Sequence, residues 1–151
     1  MGKPKSPMFD TAVYIEYEKQ ISPILFEKMK ISMIVLYELT ATTIDKELLQ
    51  KFNRIRQELN RRGDLITPTM NDWWETAKMI RRIRFGEKTA SKGKTPKMPD
   101  AHRLQNDALT ARSASLHNCF FVTTNINDFN LFTPFMEKLE VVSPPISLPR
   151  F

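Results

Sequence analysis

The chain is 151 residues long, 41% hydrophobic and 26% charged, a balance that suits one folded domain with a single sizeable core and excludes a disordered chain. No stretch approaches the ~20 apolar residues of a membrane span, and no apolar run of signal-peptide length follows Lys3 and Lys5, so a cytoplasmic protein without a membrane partner is expected. The net charge of +6 is local: Lys78 to Arg103 holds nine bases against two acids, while the remainder holds fourteen against fifteen, a patch that reads as a docking surface for a phosphate backbone, with a solvated face as the alternative.

Residues 1–7 read as a polar lead-in. Met8 to Ile15 reads as a short apolar strand broken at Asp10-Thr11, with a helix starting near Val13. An acid where a buried strand ends is costly unless it meets water, a cation or a hydrogen-bond donor. Asp10 is therefore a candidate ligand, with a helix cap as the alternative. Ser22-Pro23 opens a short helix that Lys30 closes. Ile31 is a brief strand, and Ser32 caps a helix through Leu39 in which apolar residues surround Glu38. Glu38 is a further candidate site acid, with an exposed helix glutamate as its alternative.

Asp45 caps an amphipathic helix from Lys46 to Arg62, with Leu48, Leu49, Phe52, Ile55 and Leu59 at helical spacing, and Gly63 ends it. Leu65-Ile66-Thr67 is a small strand that Pro68 blocks. Thr69-x-x-Asp72 caps a helix to about Phe85, on which Trp73 and Trp74 face different ways, one expected in the core and the other partly exposed. Residues 86–99 carry two glycines, two prolines and four lysines without periodicity and read as a basic mobile loop. Arg81, Arg82 and Arg84 before it, with Lys88, Lys92, Lys94 and Lys97 within it, are the candidate nucleic-acid-binding residues.

The span from Leu104 to Phe129 ties these pieces together. Its helix sets Asp107 among small neighbours (Ala108, Thr110, Ala111, Ser113, Ala114, Ser115), so the backbone can lie close to what it covers and carry the carboxylate inward. Cys119 to Thr123 suits a buried strand; Cys119, the one cysteine, has no Cys or His companions at ligand spacing and reads as a buried structural thiol. His102 and His117 stand near no nucleophile motif and suit surface or helix-end roles. The turn Thr124 to Asp128 adds oxygen ligands, and in a parallel sheet it opens at the carboxyl edge, where open α/β proteins place their sites. Asn130 to Lys138 reads as irregular, Leu139 to Val142 as the last strand, and 143–151 as a Pro-rich extended tail.

Four blocks resemble a PIN-domain nuclease, specifically a VapC-like toxin of a type II toxin–antitoxin pair. Phe9-Asp10-Thr11-Ala12-Val13-Tyr14-Ile15 is similar to the family's opening Asp-Thr-Asn-Val-x-Ile, and Ser32 to Leu39 is similar to its Ser-x-x-x-x-x-Glu-Leu. Asn106-Asp107-Ala108-Leu109 matches its central Asn-Asp-Ala-Leu, and Val122 to Phe129 resembles its Val-Thr-x-Asn-x-x-Asp-Phe. Ala12 departs from the family, which has Asn there. Asn125 stands where some members have Asp, so Asn125 and Asp128 share the fourth role. The resemblance implies one PIN-like domain over 1–151, a three-layer α/β/α fold with a central parallel sheet, and acids converging at its carboxyl edge.

The chemistry that needs clustered carboxylates is metal-assisted phosphodiester hydrolysis. Acids packed together resist ionising together, and hard oxygen ligands without Cys or His select Mg²⁺ or Mn²⁺. Asp10 and Asp107 are then the expected metal ligands, and Asp10, Glu38, Asp107 and Asp128 the catalytic set, with Thr11, Thr123 and Asn125 supporting them. The resemblance implies an endoribonuclease acting on RNA, held by a cognate antitoxin and forming a homodimer. The competing expectation is a catalytically inactive PIN-like module that binds RNA or protein; a nucleotide-binding domain is disfavoured because no glycine-rich phosphate loop is present.

Overall fold

Five short strands, all paired in parallel, form the middle of the molecule in a computed structural model that describes residues 2–86 and 101–145. They are β1 (Ser6–Phe9), β2 (Ile31–Ser32), β3 (Leu65–Ile66), β4 (Cys119–Val122) and β5 (Glu140–Val142), and the helices are α1 (Thr11–Tyr17), α2 (Pro23–Lys28), α3 (Met33–Thr42), α4 (Lys46–Arg62), α5 (Met70–Phe85), α6 (Ala101–Leu116) and α7 (Ile126–Phe129). One sheet runs β1-β4-β5 and a second pairs β2 with β3; a parallel bridge between Met8 and Lys30 joins them. Through that bridge the strand order is 3-2-1-4-5. The chain therefore builds outward in one direction from β1 and then returns to build in the other, and the crevice at such a reversal opens beyond the carboxyl ends of β1 and β4.

Strand alternation divides the core between the two faces of the sheet. Phe9 and Val122 point into one cluster with Val13, Val35, Leu36, Phe52 and Leu59. Met8, Cys119 and Phe121 point into the other with Met79, Ile80, Leu104, Ala108 and Phe129. Helices α1 to α4 cover the first face and α5 to α7 the second, which is the expected three-layer arrangement. The small residues of α6 are buried as expected: Ala108, Ala111 and Ala114 are fully covered, so the backbone of this helix lies close against β4. The Cys119 thiol is buried and its pKa is pushed up to about 11 by desolvation, with only a small opposing pull from Lys30, as fits a structural thiol.

Local signals set most boundaries. The Asp45 carboxylate accepts from the Glu47 and Leu48 amides, and Gly63 closes α4 at φ 78°, a left-handed conformation that strains any residue with a Cβ. Thr69 and Asp72 form a reciprocal capping box at the head of α5. Arg62, which the helix pattern marks only as a terminal base, is a tether: it donates to the Phe26 and Met29 carbonyls at 3.1–3.2 Å and pairs with Asp64 at 2.9 Å. Among the described residues no helix is long and apolar enough to cross a membrane.

Four expectations are corrected. The first strand starts at Ser6, inside the polar lead-in, because Pro7 offers its carbonyl to the Lys30 amide at 3.0 Å. That strand stops at Phe9 and α1 begins at Thr11, two residues before Val13, because Asp10 caps it. The 124–128 turn contains a short helix, α7. Trp73 and Trp74 are both exposed, at 44% and 64%; the buried residues of α5 begin one turn later with Thr76, Met79 and Ile80, so neither indole reaches the core. Of the basic loop, residues 87–100, with Lys88, Lys92, Lys94 and Lys97, lie outside the described residues, as do 146–151 of the tail.

Candidate functional site

Parallel pairing brings the first acid to its support. Phe9 and Val122 are register partners, so the residues that follow them, Asp10 and Thr123, leave adjacent strands side by side at the carboxyl edge. The Asp10 amide still donates to the Val122 carbonyl at 2.9 Å. Its carboxylate accepts from the Thr11 amide at 2.8 Å and from the Thr123 hydroxyl at 2.9 Å. Asp10 is thus the N-cap of α1, and the same carboxylate is held by Thr123 at the carboxyl edge of the sheet.

Glu38 arrives from α3, the helix that follows β2 on the other side of β1. The Thr11 hydroxyl donates to one of its carboxylate oxygens at 2.8 Å, and the Asn106 side-chain amide donates to the other at 3.0 Å. Three elements distant in sequence, α1, α3 and α6, are thereby stitched together at Glu38. Each of its oxygens and each of the Asp10 oxygens accepts one hydrogen bond here, and a carboxylate oxygen has about two lone-pair positions. The protein donors therefore fix the orientation of both groups without exhausting their capacity to bind a cation.

The electrostatics of the pair are unfavourable in isolation. Burial raises the Asp10 pKa above its ordinary 3.8; the Thr123 and Thr11 hydrogen bonds oppose that rise, and the neighbouring Glu38 charge adds to it. Two carboxylates joined through the Thr11 hydroxyl share a partly desolvated corner, and like charges so placed resist ionising together.

The remaining expected residues fall into two groups. Asp107 sits half-buried on the same turn of α6 as Asn106, next to the residue that reaches Glu38. Asp128 accepts from the Asn125 side chain at 2.7 Å, and the Asn125 amide donates to the Thr123 hydroxyl at 3.0 Å, so Asp128 is linked to Asp10 through Asn125 and Thr123 rather than directly. Among the described residues no three Asp, Glu, His or Cys side chains stand together as a ready metal-ligating group. Arg81 and Arg82 are exposed on α5 and Arg84 is half-buried; Arg82 lies over the Phe135 ring at 5.0 Å and Arg84 over Phe85 at 5.1 Å.

Asn106 is the functional candidate to which sequence reasoning gave no role. Its signal was present, since it opens the Asn-Asp-Ala-Leu block, but helical periodicity alone gives no means of telling which of two adjacent polar residues faces α3.

No protein-family model matches the sequence, and no curated protein is significantly similar to it. Solved structures are similar. A chain of VapBC2 from Rickettsia felis, solved with a DNA fragment from its promoter, is 20% identical with a TM-score of 0.50, covering 92% of this chain and 98% of that one. A chain of DNA-bound VapBC from Salmonella typhimurium gives the same identity, TM-score and coverage. A chain of FitAB bound to the IR36 DNA fragment is 18% identical with a TM-score of 0.50, covering 95% and 99%. With its parallel strands between two layers of helices, this chain has the PIN-like α/β fold of those VapBC and FitAB chains.

Proposed function

We propose that this protein is a divalent-metal-dependent endoribonuclease and the toxin of a toxin–antitoxin pair. The observation that carries the reading is the meeting of Asp10 and Glu38 through Thr11 at the reversal point of the sheet, with the Asp10 carboxyl raised by burial and, to a lesser degree, by the Glu38 charge. The donor set suits Mg²⁺ or Mn²⁺, being oxygen alone with no Cys or His. Asp10 would hold the ion, with Asp107 as its partner ligand from α6. When bound, such an ion supplies Lewis acidity toward water and toward a scissile phosphate.

The chain's own residues do the rest. Glu38, held between the Thr11 hydroxyl and the Asn106 amide, is oriented to take a proton from the attacking water. Thr123 fixes the Asp10 rotamer, and Asn125 and Asp128 brace Thr123 from behind. The basic residues Arg81, Arg82 and Arg84 supply positive charge along α5 for an RNA backbone. An antitoxin and a second copy of the chain are the expected protein partners, in keeping with the similarity of fold to chains of VapBC and FitAB complexes.

A second reading is a catalytically silent PIN-like RNA-binding module. It draws support from Ala12 in the opening block and from the lack of a ready three-acid group among the described residues. One experiment separates the two. Purified protein is incubated with RNA in Mg²⁺, in Mn²⁺ and in EDTA, beside the Asp107→Asn variant. Cleavage that needs the metal and disappears in the variant supports the nuclease; RNA binding without cleavage in either protein supports the module.

A further inference from the structure

The seam between α5 and α6 carries chemistry that the carboxylate network does not use. Trp73, Arg81 and Arg84 from α5 and His102 and Gln105 from α6 line an open groove of about 230 Å³. Trp73 presents 44% of its surface to solvent at the start of that groove. Two buried side-chain polar atoms among the described residues have no hydrogen-bond partner, Thr76 Oγ1 and Arg84 Nε, and both belong to residues lining this groove. Thr76 itself is only 2% exposed. Buried donors are ordinarily satisfied; Thr76 also lines the neighbouring groove beside Arg82 and Phe135, so Arg84 Nε is the unsatisfied donor that points to a ligand here.

The combination selects the ligand's chemistry. A flat, half-exposed indole suits a planar aromatic ring, and guanidinium groups suit phosphate oxygens. Aromatic stacking with flanking cations is how single-stranded nucleic acid is held without base pairing. The groove is below the roughly 300–1,000 Å³ of pockets that enclose a small molecule, and its open shape fits one base lying flat with its backbone outside. Its place on the molecule matters as much. His102 precedes Asn106 by four residues on α6, a rise of about 6 Å, so the α6 wall of the groove lies about one helical turn from the residue that reaches Glu38.

We propose that this groove is a base-stacking subsite for an unpaired RNA nucleotide flanking the scissile phosphodiester. Trp73 stacks on the base, and Arg81 and Arg84 hold the adjoining phosphates. The identity of the nucleic acid rests on the nuclease reading above; the stacking itself needs no cleavage.

The test uses the full chain carrying Trp74→Phe, which leaves Trp73 as its one tryptophan, in EDTA so that nothing is cut. An unpaired RNA of about 12 nucleotides should quench Trp73 emission, and the same strand annealed to its complement should not. In the otherwise native chain, Trp73→Ala should weaken binding of the unpaired RNA roughly 5- to 150-fold, and Trp73→Phe should restore most of it. Arg84→Gln should weaken binding and flatten its salt dependence. If Trp73→Ala binds the unpaired strand as tightly as the parent, the subsite does not exist. If that variant keeps its affinity but changes its mass in solution, Trp73 belongs to a contact between copies and the proposal is equally overturned. Quenching by a protein that never cleaves in Mg²⁺ would keep the subsite and remove the nuclease, whereas cleavage without quenching would do the reverse.

Discussion

Asp10 and Asp72 are both half-buried carboxylates in the first residues of a helix, and the protein treats them oppositely. Asp72 accepts from the Thr69 amide at 2.8 Å and from Arg112 Nε at 2.7 Å. Burial disfavours its charge, but the Thr69 and Arg112 hydrogen bonds outweigh that and hold its pKa below the ordinary 3.8. Asp10 also accepts two hydrogen bonds, yet its pKa rises. What differs first is desolvation, which outweighs the hydrogen bonds at Asp10 and is outweighed by them at Asp72; the neighbours add to it, a guanidinium beside Asp72 and another carboxylate beside Asp10. At Asp72 the charge is cancelled within the fold, by Arg112 of α6. At the corner of α1 and α3 two carboxylates stand together, and among the described residues no cationic side chain pairs with either.

If that contrast is functional, removing charge from the two regions must have different consequences. The largest effect belongs to the uncancelled corner. Glu38→Gln keeps both oxygen-side partners within reach but removes the base, so RNA cleavage in Mg²⁺ should fall roughly 10²- to 10⁴-fold with little change in RNA affinity. Cleavage within twofold of the parent would remove Glu38 from the mechanism.

Next in size is the cancelled region. Arg112→Ala strands the Asp72 carboxylate in a place where its side chain is 15% exposed, and urea unfolding should show a loss of roughly 2–4 kcal/mol. The pH dependence follows from the lowered pKa of Asp72. Its contribution is fully present above the unfolded value of about 3.8 and is lost as pH falls through the lower folded value, so the parent should lose stability in acid more steeply than the Arg112→Ala variant. Equal slopes would show that the pair carries no weight in the fold.

Legibility from sequence follows the same division. Features that depend on neighbours within four residues were readable: the Asp45 cap, the Thr69/Asp72 box, the Gly63 stop and the short apolar run that buries Phe121 and Val122. Asp10, Glu38 and Asn106 as a connected set were not readable from periodicity, because no local rule places α6 against α3. The motif spacing supplied Asp10 and Glu38 with Thr11 in support, but not the hydrogen bond by which the Thr11 hydroxyl joins the two acids. Trp73 and Trp74 misled for a related reason. Large apolar side chains imply a core only where another element covers them, and coverage of the first turn of α5 is a tertiary fact. Arg62 shows the converse, a base read as helix-end charge that in the fold satisfies two carbonyls at the C-terminal end of α2, 36 and 33 residues away in the chain.

The smallest expected effect is the most telling about the corner itself. Asp10→Asn keeps an acceptor for the Thr11 amide and removes the charge that burial and Glu38 disfavour. The amide also deprives the buried Thr123 hydroxyl of its acceptor, which offsets part of the gain, so without metal the variant should be more stable than the parent by about 0.5–1 kcal/mol at neutral pH. Because the folded pKa of Asp10 is raised, the parent holds its full stability below the ordinary 3.8 and loses it as pH rises through the folded value. The two proteins should therefore melt together in acid and separate over that window, reaching a constant gap above it. Mg²⁺ binding to the ionised parent should then close the gap by mass action, adding about 1.4 kcal/mol at tenfold excess over its dissociation constant, while leaving the melting temperature of the variant where it was. A variant less stable than the parent at pH 7, or a parent indifferent to Mg²⁺ and Mn²⁺, would mean that the carboxylate is an ordinary helix cap whose burial the fold tolerates for structural reasons alone.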